Sequence, residues 1–130
     1  MLKSYNNVTL EVGDILKFTS KKKYDIIFFA EVFCKLNYPS YGYVFDECHE
    51  LLDDTGYVVI IDKDKYSFHA IKTYIKLKFG LLHAAYATTK YPSFKKLVEL
   101  AKKKGFQSIK KTKIKEFRAL VLLKRACENM

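Results

Sequence analysis

The sequence contains few glycines and prolines, five and two in 130 residues, and only three cysteines. Because 49% of the residues are hydrophobic and 15% are aromatic, this scarcity excludes a disordered or low-complexity chain. The cysteines, Cys34, Cys48 and Cys127, lie far apart and form no Cys-x-x-Cys pair. A disulfide scaffold and a zinc finger are therefore excluded, and the pattern is typical of a reducing cytosol.

Long apolar runs are also missing. The longest nearly uncharged stretch, 79–89, is shorter than the roughly 20 residues that cross a bilayer, and residues 1–7 are too polar for a signal peptide. We therefore expect a soluble, cytoplasmic protein that does not associate with a membrane. The length of 130 residues predicts a single domain over 1–130.

The net charge of +10 is concentrated near the C-terminal end of the sequence. Residues 1–89 hold 11 basic and 11 acidic side chains, whereas 90–125 hold 13 basic and 2 acidic ones. The domain is therefore expected to consist of an electrically balanced portion followed by a basic portion at 90–125.

Apolar runs rich in Ile, Val and Phe alternate with segments of helical period, which is typical of an α/β domain. The predicted strands are 7–12, which stops at Gly13-Asp14, the continuous apolar runs 25–30 and 57–61, and the segments 106–110 and 117–123. The two continuous runs are typical of strands in a parallel sheet that is covered on both faces. The last two strands, joined by a basic turn, are predicted to form a hairpin.

Helices are predicted between these strands. Pro39-Ser40 is interpreted as a break before a helix at 43–52, and 66–86 is predicted to be one helix or two helices interrupted near Gly80. A further helix is expected to begin after Ser93, which can cap it, and to stop at Gly105.

The order of these elements, with the residues at their junctions, resembles the C-terminal two-thirds of class I S-adenosylmethionine-dependent methyltransferases. The matching segments are 7–14, 23–32, 45–62, 93–106 and 118–124. The resemblance implies a three-layer, Rossmann-like α/β sheet, truncated at its N-terminus so that it begins at the family's third strand. It also implies an antiparallel C-terminal hairpin at one edge of the sheet.

The resemblance assigns three cofactor-binding positions. Asp14 stands where the family's third strand presents an acid to the adenine, and Ala30 and Glu31 end the strand that lies beside the methionine part of S-adenosylmethionine. Asp62 would lie on the same edge. Ordinary turn chemistry at Asp14, a solvent-exposed Glu31, and a solvated loop at Asp62 and Asp64 are the alternatives.

The sequence departs from the family in one important respect. It lacks the first two strands and the Gly-x-Gly loop that cradles the cofactor, and its glycines are never clustered. Binding of S-adenosylmethionine by the isolated chain is therefore expected to be weak or absent. The missing strands would also leave an open sheet edge, so we predict that 7–12 moves beside 25–30 or that a second chain, most simply in a homodimer, covers it.

The basic portion predicts a surface for nucleic-acid phosphates, with binding that weakens as salt increases. The residues chosen for it are Lys102, Lys103, Lys104, Lys110, Lys111, Lys113 and Arg118. The alternative is a solvated, lysine-rich surface, which the scarcity of arginine favours.

No metal site is predicted. Cys48 and His49 point about 100° apart on a helix and have no third ligand nearby in sequence, so Cys48 is expected in the core. His69 and His83 lack a carboxylate partner. The sequence thus favours a methyltransferase-like protein that is inactive alone or completed by a partner chain. The alternatives are a non-catalytic nucleic-acid-binding or protein-interaction module, or a small subunit that stabilises another protein.

Overall fold

The computed structural model describes residues 7–64 and 91–125, together with Ile71, Lys72, Ile75, Lys76 and Lys78. Its elements are β1 (Tyr24–Ala30), α1 (Tyr38–Leu51), β2 (Leu52–Asp62), α2 (Phe94–Lys103), β3 (Phe106–Ile114) and β4 (Phe117–Lys124). Single turns of 3-10 helix lie at Ile15–Lys17 and Phe33–Lys35. The five intervening positions are helical, and the remainder of the helix predicted at 66–86 lies outside the described residues.

The strands form one mixed sheet in the order β1-β2-β4-β3. β1 and β2 are parallel, whereas β4 is antiparallel to both β2 and β3. The predicted α/β class and the C-terminal hairpin at one edge of the sheet are therefore confirmed. At the opposite edge, β1 pairs only with β2 among the described residues.

The strand predicted at 7–12 is wrong. Residues 8–14 have no regular secondary structure, and Val8, Leu10 and Val12 are exposed. Alternating apolar residues make a strand only where a neighbour takes up the backbone hydrogen bonds, and no described strand lies beside this segment. The predicted pairing of 7–12 with β1 therefore does not occur.

Helix α1 begins earlier than the sequence predicted, because Pro39 lies in its first turn rather than breaking the chain before it. Proline is tolerated there, since the N–H groups of the first turn have no partner within the helix. At the other end, the Lys124 ammonium donates to the carbonyl oxygens of His49 and Leu52, at 2.7 and 2.9 Å. Lys23 donates to the carbonyl oxygen of Glu50. Two lysines thus cap the negative end of α1.

Helix α2 has the predicted start and end. The Ser93 hydroxyl accepts a hydrogen bond from the N–H of Lys96 at 3.4 Å, and Gly105 follows the helix with a φ of 92°. A Cβ at position 105 would lie 2.8 Å from Nε2 of His49. The backbone conformation therefore favours glycine there, and any Cβ would also push against the imidazole of His49.

The core lies between the two helices and one face of the sheet. It contains Tyr41, Val44, Phe45 and Cys48 from α1, Phe94, Leu97 and Ala101 from α2, and Phe29, Val58, Ile60, Phe106, Leu120 and Leu122 from the strands. The expected core position of Cys48 is confirmed.

A bulge in β3 sets which of its side chains face the helices. The register with β4 shifts between Ser108 and Lys110, so that Ile109 is an extra residue. Beyond it, Lys111 lies opposite the buried Leu120, and Lys113 lies opposite Arg118. Lys111 and Lys113 therefore emerge on the helix face of the sheet.

Candidate functional site

The carboxyl ends of β1 and β2 lie side by side. Ala30 is paired with Ile61, and the N–H of Glu31 donates to the carbonyl oxygen of Ile61 at 2.8 Å, which extends the ladder by one bond. In open α/β sheets, ligands bind beyond this edge of the strands. Ala30 and Glu31 are both exposed there, which for Glu31 is also what the solvent-exposed alternative expects.

Glu31 has a left-handed backbone conformation, with a φ of 57°. For a residue other than glycine this conformation costs about 1 kcal/mol or more. The surrounding contacts hold it in place, because the Cys34 thiol lies 3.4 Å from the Glu31 carbonyl oxygen and can donate to it. The carboxylate thus stands on a sharply turned, fixed backbone at the end of β1.

Asp62 ends β2 and is 1% exposed. Its carboxylate accepts hydrogen bonds from the N–H of Cys34 at 3.0 Å and from the N–H of Lys63 at 2.8 Å. Burial raises the pKa of this carboxyl, while the two backbone hydrogen bonds act in the opposite direction. The solvated loop considered for Asp62 is therefore wrong, and Asp62 instead fastens the segment after β1 to the end of β2.

Aromatic contacts also hold the segment after β1 against the core. The Phe33 ring contacts those of Phe29, Tyr41 and Phe45 at centroid distances of 5.3, 5.0 and 5.7 Å. The Tyr41 hydroxyl donates to the carbonyl oxygen of Phe33 at 2.9 Å. The edge carrying Glu31 is therefore rigidly supported by aromatic packing.

Cys34 is not equipped to act as a nucleophile. Burial raises the pKa of its thiol to about 11, so the thiol is protonated at neutral pH. Among the described residues, no group of three His, Cys, Asp or Glu side chains is placed to hold a metal ion.

Asp14 is separated from this arrangement. Its carboxylate accepts a hydrogen bond from the N–H of Leu16 at 2.9 Å and caps the 3-10 turn Ile15–Lys17, which is the turn chemistry foreseen as the alternative. A cleft of about 640 Å³ lies between this region, β1 and α1, and Ile26, Phe28 and Cys48 are among its lining residues. Its lining includes neither Asp14 nor the pair Ala30 and Glu31. The cofactor roles of the three residues remain predictions.

The seven basic residues chosen from the sequence have different environments. Lys104 makes an ion pair with Asp46 at 3.0 Å and so belongs to the contact between α1 and α2. Lys102, Lys103 and Lys110 are exposed. Lys111, Lys113 and Arg118 instead meet around one pocket of about 260 Å³, which Asp64 and Phe94 also line.

Sequence reasoning did not identify Lys63. Its ammonium lies 5.7 Å from the ring centroid of Tyr91 and 5.4 Å from that of Phe117, within the range of a cation–π contact. The contact links the end of β2 to the start of β4. Only its position next to the strand-ending Asp62 could have drawn attention to it.

No family model and no curated protein sequence matches the chain. Solved structures do match. They include N-methyltransferase NodS from Bradyrhizobium japonicum with bound S-adenosyl-L-homocysteine (TM-score 0.68, 12% identity, 95% of this chain and 58% of that one). A second match is a possible histamine N-methyltransferase from Thermotoga maritima (TM-score 0.66, 17% identity, 87% of this chain and 62% of that one). A third is the pyocyanin biosynthetic protein PhzM (TM-score 0.66, 16% identity, 86% of this chain and 33% of that one).

These similarities establish that the chain has the class I S-adenosylmethionine-dependent methyltransferase fold. At such low identities they establish the fold alone. The chain spans between a third and about three-fifths of the length of these three structures. In the part of the chain that the structure describes, no helix is both long and apolar enough to cross a membrane.

Proposed function

We propose that this chain forms one half of a composite S-adenosylmethionine-binding site in a methyltransferase, and that polypeptide outside these 130 residues supplies the glycine-rich half. The observation that carries the proposal is that, within 7–64 and 91–125, β1 pairs with β2 alone, so its other edge is open beside the fixed carboxyl end at Glu31. Methyl transfer depends mainly on alignment and proximity, and two polypeptide segments can together provide both.

The edge of β1 has the character of a surface that another strand covers. Ile26 and Phe28 are 50% and 56% exposed although they belong to an apolar strand. An apolar strand with free backbone groups promotes association unless a neighbour covers it. The cleft of about 640 Å³ runs along the same strand, so an added segment has space beside β1.

The occupant we assign to this edge is a partner segment that carries the Gly-x-Gly loop. Two arguments favour it over a second copy of the chain. A homodimer would cover the edge but would contribute no clustered glycines, because this sequence has none. The similar structures are also longer than this chain, with 38% to 67% of their lengths outside the matched part.

The experiment is photolabelling of the native assembly, purified through a tag on this chain, with methyl-tritiated S-adenosylmethionine. We expect label in the peptide that contains Glu31, competed by S-adenosylhomocysteine. The isolated chain serves as the control and should show little heat in calorimetry with S-adenosylhomocysteine up to millimolar concentration. Tight binding by the isolated chain, or an assembly that takes up no label on this chain, contradicts the proposal.

A further inference from the structure

The register of the sheet brings the basic hairpin to the proposed cofactor edge. Asp62, the last residue of β2, lies opposite Arg118, and Arg118 lies opposite Lys113 on the other side. The turn between β3 and β4 is therefore at the same end of the sheet as Glu31. Charge that is remote in sequence from the strand ends is adjacent to them in the fold.

The pocket of about 260 Å³ lies on the helix face at this end. Lys111, Lys113 and Arg118 contribute three positive charges to its wall, and Asp64 contributes one negative charge. The Asp64 carboxylate also accepts a hydrogen bond from the N–H of Phe94, at 3.4 Å. The structure gives Lys111 and Lys113 no ion pair with any residue in 7–64 or 91–125. The pocket therefore has a net positive charge and suits an anion.

We infer that this pocket binds the phosphate backbone of a nucleic-acid strand, and that the strand is the methyl acceptor of the composite site. The second part rests on the function proposed above. The Arg118 guanidinium has five N–H donors in a planar fork and gives one of them to the carbonyl oxygen of Phe117, at 3.2 Å. The donors that remain suit the oxygens of a phosphate.

The surroundings favour a polymer over a small phosphate compound. The exposed residue Lys115 extends the row of charges past the pocket, and from Lys111 to Lys115 β3 and its turn cover roughly 13 Å. Tyr38 is 56% exposed, and the Lys96 ammonium lies 6.0 Å from its ring centroid. Aromatic rings among cations are the elements of a surface that stacks the bases of a single strand.

The chemistry of the inferred reaction balances without another reactant. A nitrogen or oxygen of the nucleic acid attacks the methyl carbon of S-adenosylmethionine. The new bond to that atom forms as the bond between sulfur and methyl breaks. The electron pair of the broken bond stays on sulfur, the products are S-adenosylhomocysteine and the methylated strand, and the acceptor's proton passes to solvent.

The test is fluorescence anisotropy of the full chain with labelled 20-nucleotide single-stranded RNA and DNA, and with the matching duplexes, at 50 and 200 mM salt. The variant replaces Lys111, Lys113 and Arg118 with Gln, and the control replaces the exposed residues Lys17, Lys21 and Lys72 with Gln, so that both lose the same charge. We expect the pocket variant to bind single strands at least about tenfold more weakly. Its slope of log affinity against log salt should fall by about 2, and the control should change less than threefold.

Several results would overturn the inference. These are no binding at low salt, equal losses in the pocket variant and the control, and displacement of the strand by inorganic phosphate at low millimolar concentration, which indicates a small-phosphate site. Circular dichroism of both variants verifies that they are folded. The assay contains no S-adenosylmethionine, so it can succeed where photolabelling fails, and that outcome limits the chain to non-catalytic binding.

Discussion

The carboxylate of Asp62 and the backbone N–H of Cys34 are hydrogen-bonded at 3.0 Å although the residues are 28 positions apart. This bond and the one from Lys63 satisfy both oxygens of a buried acid. In an Asp62→Asn variant the amide NH2 would face one of the two N–H groups. One donor would then lack a partner, so we expect the free energy of unfolding at pH 7 to fall by about 1–3 kcal/mol. Urea denaturation measures it, and exposed Asp54→Asn should change it by less than about 0.5 kcal/mol.

Asp62 also makes the free energy of unfolding depend on pH. Because burial raises the pKa of Asp62 above its ordinary value of 3.8, the folded state holds this proton more tightly than the unfolded state. The stability that Asp62 contributes is therefore greatest below pH 3.8 and falls as the pH rises through the folded pKa, after which it is constant. The advantage of the natural chain over Asp62→Asn should shrink across this window. An advantage that grows with pH there would show a lowered pKa instead.

Gly105 and His49 provide a test of the join between α2 and β3. Gly105→Ala places a side chain in a left-handed conformation and brings its Cβ against the imidazole of His49. We expect a loss of about 1–3 kcal/mol in the free energy of unfolding. In the background of His49→Ala the steric part disappears and only the backbone part, about 1 kcal/mol, should persist. An equal loss in both backgrounds would mean that the imidazole moves aside freely.

We expect Lys124 to stabilise the fold and not to bind a ligand. Lys124→Met keeps most of the aliphatic stem but removes the ammonium that caps the carbonyl oxygens of His49 and Leu52. Unfolding in urea should show a loss of about 1–2 kcal/mol. The matched change Lys110→Met, at an exposed position, should leave stability unchanged within about 0.5 kcal/mol. Equal stability of the two variants would contradict the capping role.

Substitutions at two adjacent phenylalanines of β1 distinguish an effect on assembly from an effect on folding. Phe28→Thr alters a side chain that is 56% exposed, so we expect it to change stability by about 0.5 kcal/mol or less and yet prevent the partner segment from binding. Phe29→Thr alters a buried side chain and should cost about 3 kcal/mol or more. Light scattering of the tagged assembly measures the first effect and urea denaturation the second. A Phe28→Thr assembly of unchanged mass would show that the partner lies elsewhere.

Much of the fold could be predicted from the sequence, because strong local signals agree with the packing. The continuous apolar runs in β1 and β2 and the Ser93 and Gly105 boundaries of α2 were identified correctly. The strand at 7–12 was not, because alternation of apolar residues says nothing about whether a neighbouring strand is present. The early start of α1 was missed because Pro39 is equally compatible with a break and with a first turn.

The candidate site was less predictable. Apolar runs ending at Ala30 and Asp62 locate the carboxyl edge of the sheet, but the burial of Asp62 depends on hydrogen bonds to a segment 28 residues away. The charge count located a basic region without distinguishing its parts. Lys104 pairs with Asp46, Lys124 caps a helix, and Lys111 and Lys113 surround a pocket. Those differences arise from register and long-range contact, which composition does not contain.

The bulge at Ile109 determines which face of the sheet the following side chains of β3 occupy. If Ile109 were paired with Val121 instead of being an extra residue, Lys110 would lie opposite Leu120 and Thr112 opposite Arg118. Lys111 and Lys113 would then turn to the other face of the sheet, away from α2. Deleting Ile109 removes the bulge but leaves Lys111 opposite Leu120 and Lys113 opposite Arg118, so both cations should stay on the face of the pocket. A hairpin that paired Ile109 with Val121 would instead keep the net charge and every lysine, yet remove two of the three cations from the pocket. The position of this surface therefore depends on whether one uncharged residue is paired in the ladder.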